Sequence, residues 1–226
     1  VESKWFSTVV VESADSTVVG QLQQLSIVDS VKWIWKGHLK VPAEETGEER
    51  FVSTDKPQDR EYGYAEKQIR MLNGIKLHEA GFQGEGMRVA VIDAGFMNAD
   101  RISAFDSLRL LGTHNIVFPG KSVFVGDDHG TKVLSCLAAD IPGVMVGTAP
   151  KASYLLLKSE DSDSEYPIEE DYWTAAVEYA DSAGVDVISS SLGYFSFDAD
   201  ELSYDQSALD GKTAMISRAA SLAADR

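Results

Sequence analysis

The sequence predicts an α/β fold built on a parallel sheet, preceded by a small α+β unit. Three observations carry this. Short apolar runs at 88–93, 153–158 and 185–189 have no polar alternation, as expected of strands buried on both faces. Amphipathic stretches at 129–139 and 172–183 separate them at helical spacing. Strand and helix then alternate, which implies crossover connections in one sheet.

The elements follow in order. Residues 5–11 are rich in β-branched and aromatic side chains and read as a strand. Val18, Val19, Leu22 and Leu25 follow at helical spacing, with Ser13 or Asp15 as candidate caps. Residues 27–35 return to strand character, with Val31, Trp33 and Trp35 on one face. This predicts a compact β-α-β unit over residues 1–40, too small to bury much surface alone. Residues 41–61 are polar, charged and aperiodic and read as a linker. A short helical stretch over 64–80 ends near Gly81. After the 88–93 strand, the 129–139 helix turns Val133, Leu134, Leu137 and Ala138 inward. The 172–183 helix buries Trp173, Ala176, Val177 and Ala180, opens on Glu169, Glu170 and Asp171, where its dipole favours carboxylates, and ends at Gly184. A last helix spans 212–225, with Met215, Ile216, Ala219, Leu222 and Ala223 inward.

The chain has 226 residues, 20 Lys plus Arg against 36 Asp plus Glu, and a net charge of −16. That balance argues against nucleic acid as a partner, because phosphate must be neutralised by a basic face. It equally disfavours an anionic membrane surface. No apolar run approaches the roughly 20 residues of a membrane span, and the N-terminus carries no signal-peptide pattern. A single cysteine, Cys136, excludes an internal disulfide framework and reads as a small core residue. Residues 159–211 hold 15 Asp and Glu and no Lys or Arg, so they account for nearly all of the net charge. Such a run reads as a solvated acidic face.

Two residues have settings suited to chemistry. Asp93 ends a buried strand and precedes Ala94-Gly95, and ligands in open α/β sheets bind at the carboxyl ends of strands. The same placement suits a turn aspartate, a phosphoacceptor or a metal ligand. His129 opens a helix after Asp127 and Asp128, and Gly130 lets another backbone approach it. A surface histidine in a polar turn has the same local pattern. His38, His78 and His114 have no such context. Gly84-Glu85-Gly86 precedes its strand, so it is not a dinucleotide loop.

Four motifs occur in a telling order: Val91-Ile92-Asp93-Ala94-Gly95, His129-Gly130-Thr131-Lys132-Val133, Val146-Gly147-Thr148-Ala149-Pro150 and Ser190-Ser191-Leu192-Gly193. Together they resemble the subtilisin-like serine peptidases, the subtilases. The resemblance implies that Asp93 and His129 are catalytic. It also implies that Ser191, Leu192 and Gly193 line the strand that pairs with a bound peptide. Residues 62–69 resemble the start of a mature catalytic domain. Residues 5–35 resemble the second half of an inhibitory propeptide, so 62–226 would be the catalytic portion and 41–61 would hold the processing site. Lys132 stands where the family usually has a second histidine. No Gly-Thr-Ser-Met-Ala or Ala-Ala-Gly-Asn segment occurs, so the nucleophile and the oxyanion Asn are absent from residues 1–226. The expectation is therefore of a partial propeptide joined to a catalytic domain cut short, inactive as it stands. The implied partners are a peptide or protein substrate and the chain's own propeptide, with no membrane span. The implied location is secreted or at a bacterial cell envelope. No cofactor is required; calcium is compatible, although no Asp-x-Asp-x-Asp-Gly loop is present. Two other classes remain open. One is a subtilase-like binding protein without a working serine. The other is an unrelated α/β domain with phosphate chemistry at Asp93 and no role for His129.

Overall fold

The computed structural model describes residues 1–37, 41, 49–52 and 61–226. Its N-terminal segment departs furthest from the sequence reading. Strand β1 (Glu2–Ser3) pairs antiparallel with β2 (Thr8–Val9), so the strand expected over 5–11 shrinks to two residues. Trp5 and Phe6 leave the strand line in the intervening turn and pack on the core beneath. The Arg226 guanidinium stacks 5.0 Å from the Trp5 ring, and that of Arg218 lies 4.9 Å from Phe6. Helix α1 (Thr17–Gln23) forms where expected but buries none of its residues. Residues 27–35 form no strand, so no β-α-β unit is built. Instead Ile34 and Trp35 pack on the core, and the Ile34 carbonyl accepts from the Ile168 N–H at 3.1 Å. Of the predicted linker, Phe51 bridges Ile102, while residues 42–48 and 53–60 lie outside the described residues, as does His38.

Helices α2 (Glu66–Met71) and α3 (Gly74–Glu79) occupy the predicted 64–80 stretch. The central elements are β3 (Arg88–Asp93), β4 (Arg109–Asn115), α4 (His129–Ala138), a small hairpin of β5 (Asp140–Ile141) and β6 (Met145–Val146), β7 (Ser153–Lys158), α5 (Ile168–Ser182), β8 (Val187–Ser190) and α6 (Met215–Ala224). The main sheet is parallel throughout, with strand order β4-β7-β3-β8. Strand β4 was not anticipated. It lies at an edge and is largely exposed, so it lacks the continuous apolar run that marked the other three.

Alternation along β3 and β7 divides the core in two. Val89, Val91, Tyr154 and Leu156 face Leu134 and Ala138 of α4. Ala90, Ile92, Leu155 and Leu157 face Trp173, Ala176, Val177 and Ala180 of α5. Each fully buried large apolar side chain contributes about 1.5–3 kcal/mol, so this layered core, not α1, carries the stability. Cys136 is exposed on α4 rather than inward. Helix α5 starts earlier than the sequence reading placed it. It ends in a Schellman motif: Gly184 takes φ +70, its N–H bonds the Asp181 carbonyl at 2.9 Å, and the Val185 N–H bonds that of Ala180 at 3.3 Å.

Two acids at the start of α5 are not solvated. Glu169 and Glu170 are each only 2% exposed. The Glu170 carboxylate accepts from the Tyr204 hydroxyl at 2.6 Å and from the Ile216 N–H, in the first turn of α6, at 2.9 Å. It thus serves a helix whose own N-cap, Ala214, has no side-chain acceptor. Replacing Glu170 by Ala strands both donors and is expected to cost about 3 kcal/mol, read as a lower denaturation midpoint at unchanged m-value.

Candidate active site

The carboxyl ends of β3, β7 and β8 gather the functional candidates. Asp93 closes β3 and is fully buried. Its Oδ1 accepts from the Ala94 N–H at 2.8 Å and from Nδ1 of His129 at 2.7 Å. With the carboxylate ionised, Nδ1 must donate, which leaves Nε2 with a free lone pair. The other carboxylate oxygen, Oδ2, is buried without a partner among the described residues. The His129 side chain is 49% exposed.

Local sequence explains how the pair meets. Asp127 accepts the His129 N–H at 2.7 Å and so holds the helix start. Asp128 pairs with Lys132 one turn on, at 2.7 Å. Thr131 donates its hydroxyl to the Met97 carbonyl at 2.8 Å, fastening α4 to the loop after β3. At Gly130 a Cβ would stand 2.4 Å from the Gly95 carbonyl oxygen and 2.9 Å from the Asp93 Cβ. Only glycine permits that approach.

The electrostatics follow from burial and pairing. The hydrogen bond to Asp93 and its charge raise the His129 pKa above its ordinary 6.5, against a smaller effect of burial. Burial raises that of Asp93, opposed by its bonds to His129 and Ala94. Because the His129 value rises on folding, the stability it contributes is complete below about pH 6.5 and is lost as pH climbs through the raised value.

Three neighbours escaped the sequence reading. Lys158 closes β7, pairs in register with Asp93, is 2% exposed and donates Nζ to the Ala94 carbonyl. Burial lowers its pKa, while Asp127 and other nearby carboxylates oppose this. Ser159 donates its N–H to the Asp93 carbonyl at 3.0 Å, extending the β3–β7 ladder. Glu160 is pushed up to about 7 by burial, with repulsion from Glu165 and Asp93 adding to it. The one available signal was a lysine ending an otherwise apolar strand. Among the expected residues, Ser191 and Gly193 are exposed and Leu192 partly buried, just beyond β8. Ser190, in register with Ile92, accepts from the Trp173 indole at 2.9 Å. His78 is structural rather than incidental: it is buried, bonded to the Tyr62 hydroxyl at 3.1 Å and to the Thr148 carbonyl at 2.9 Å. His114 stacks on Tyr179, with ring centroids 4.8 Å apart. Among the described residues, no group of three or more His, Cys, Asp or Glu side chains is disposed to hold a metal ion. No described helix is long and apolar enough to cross a membrane.

The chain resembles known proteins over part of its length. Subtilisin E of Bacillus subtilis strain 168 is 30% identical over 149 residues, covering 65% of this chain and 36% of that protein. The thermostable alkaline protease of Halalkalibacterium halodurans is 28% identical over 126 residues, covering 55% of this chain and 33% of its own length. No family model matches. The crystal structure of MycP1 with its N-terminal propeptide removed aligns with a TM-score of 0.44 at 22% identity, covering 57% of this chain and 38% of that one. The chain is thus similar in sequence to subtilisins and spans about a third of their length.

Asp93→Asn removes the charge that sustains the imidazolium. The His129 Cε1–H resonance, followed by NMR, is expected to titrate above pH 6.5 in the parent chain and at a lower pH in the variant. An unmoved titration would mean that the pair is not electrostatically coupled.

Proposed function

We propose that this chain supplies two members of a Ser-His-Asp triad in a subtilisin-like serine endopeptidase, the nucleophile lying outside residues 1–226. The observation that carries the reading is the 2.7 Å bond from His129 Nδ1 to a fully buried Asp93. His129 Nε2 would take the proton of the serine as it attacks the scissile carbonyl, then return it to the leaving amine. Asp93 would fix the tautomer and stabilise the imidazolium. A peptide would lie as an added strand along Ser191, Leu192 and Gly193, and nothing stands within 4 Å of where a Cβ on Gly193 would project. The similarity to subtilisins supports the peptidase class and, with it, secretion or a cell-envelope location.

In the gene product that carries this chain together with its serine, His129→Ala is expected to lower kcat/KM by about 10⁴-fold or more. A fluorophosphonate should label that product, and the 226-residue chain by itself should not hydrolyse peptides. A product that binds peptide but neither turns over nor labels would instead be a subtilase-like binding protein.

We further propose that residues 1–40 act as an inhibitory propeptide unit on the 62–226 catalytic portion, with processing in 41–61. Support comes from Glu178 on α5. Its carboxylate accepts from the Ser3 hydroxyl, from the Lys4 N–H at 2.9 Å and from the Trp5 N–H at 3.2 Å. Glu178→Ala is expected to free this segment, seen as several-fold faster proteolytic cleavage within residues 1–37 and red-shifted tryptophan emission. Unchanged cleavage would argue against a docked unit.

A further inference from the structure

A buried lysine at the carboxyl end of the sheet has no part in the triad chemistry. Lys158 ends β7 directly after Leu155, Leu156 and Leu157, and it is 2% exposed. Lysine is almost never fully buried unless it is paired, because the ammonium loses its hydration there. An apolar residue at this position would avoid that cost, so the ammonium calls for a task.

Its contacts define the task. Asp93 and Lys158 are register partners on parallel strands, so both side chains leave the sheet on the face that α4 covers. The Lys158 ammonium bonds the carbonyl of Ala94, the residue after Asp93. The N–H of the same Ala94 bonds Asp93 Oδ1 at 2.8 Å, and that oxygen also accepts from His129 Nδ1. Ala94 is thus gripped twice: its N–H by the carboxylate that orients the imidazole, its carbonyl by the lysine. A bond from a charged donor is about twice as strong as a neutral one. Burial lowers the Lys158 pKa, and four carboxylates hold against it: Asp127 from the loop before α4, Asp161 and Glu160 from the loop after β7, and Asp93 from β3. His129 faces Asp93, Asp127 and Glu160.

We infer that Lys158 is a positioning residue for the Asp93–His129 pair: as a buried ammonium it clamps the turn after β3 through the Ala94 carbonyl, and so fixes the oxygen that receives the imidazole N–H. The inference rests on the reading of Asp93 and His129 as triad members and adds to it a side chain that acts through the backbone. The two routes from Lys158 to His129 differ in sign. A lost clamp loosens the bond from Nδ1, so His129 titrates closer to its ordinary 6.5. A lost positive charge with the geometry kept makes the imidazole easier to protonate, so His129 titrates higher.

The test follows the His129 Cε1–H resonance of the 226-residue chain by NMR in Lys158→Met, which keeps the length of the side chain and drops its ammonium. The titration is expected to fall towards 6.5, by roughly half or more of the fall in Asp93→Asn. Glu170→Ala, which loses stability on the α5 side, should leave it where it stands in the parent chain. In the parent itself, the nitrogen-15 resonance of Lys158 Nζ should be that of an ammonium with slowly exchanging protons throughout the range in which His129 titrates. That measurement needs no variant to fold. A titration that stays put or rises in Lys158→Met while Asp93→Asn still lowers it, an equal fall in Glu170→Ala, or a neutral amine at Lys158 would each overturn the clamp and leave the triad reading intact. If Asp93→Asn does not move the titration either, both readings fall.

Discussion

How closely helix α4 can approach the end of strand β3 governs the carboxyl edge of the sheet. An aspartate has a short side chain, so a 2.7 Å bond to His129 requires the two backbones to lie almost in contact. Gly130 allows that, and the Thr131 hydroxyl on Met97 holds it. The approach also seals Asp93 from solvent, which gives its carboxylate influence over the imidazole in a low-dielectric setting. Lys158, arriving on the neighbouring strand, supports the same turn from the other side through the Ala94 carbonyl.

Burial and charge oppose each other throughout this edge. Desolvation drives Asp93, Glu160 and Glu169 towards their protonated forms and Lys158 towards its neutral one. Hydrogen bonds resist this, from His129 and Ala94 at Asp93, from Tyr194 at Glu160 and from the Asp161 N–H at Glu169, and nearby carboxylates resist it at Lys158. A site of this kind spreads proton affinities over several pH units, because each group's surroundings differ more than its chemistry does.

Much of this was legible in the sequence. Strands β3 and β7 are buried on both faces, and the run of apolar residues says so directly; β8 forms where its apolar run predicted a strand, but it stands at the end of the described sheet, with Val187 exposed and its other residues only partly buried. His129 and Asp93 stood out because a polar residue at the boundary of an apolar run has a restricted set of uses. Residues 5–11 and 27–35 misled for a physical reason: β-branched and aromatic side chains favour any half-buried surface, and here Trp5, Phe6, Ile34 and Trp35 bury against helices. The acidic run misled differently. Local charge density cannot separate a solvated carboxylate from Glu170, whose partners Tyr204 and Ile216 lie 34 and 46 residues away. Edge strand β4 wrote no continuous apolar run at all.

The long reach of Glu170 bears on the order in which the molecule assembles. A carboxylate sealed against α5 before its donors arrive would be buried with nothing to bond, a state more costly than leaving it in water. The outer face of α5 is therefore disfavoured from closing until the segment bearing Tyr204 and Ile216 has come into place. That contact adds loop-closure entropy to the barrier. The β3–β7 pairing and the α4 side of the core are free of this requirement and can form earlier, so assembly is expected to be staggered, with the α5–α6 layer among the last parts to become rigid.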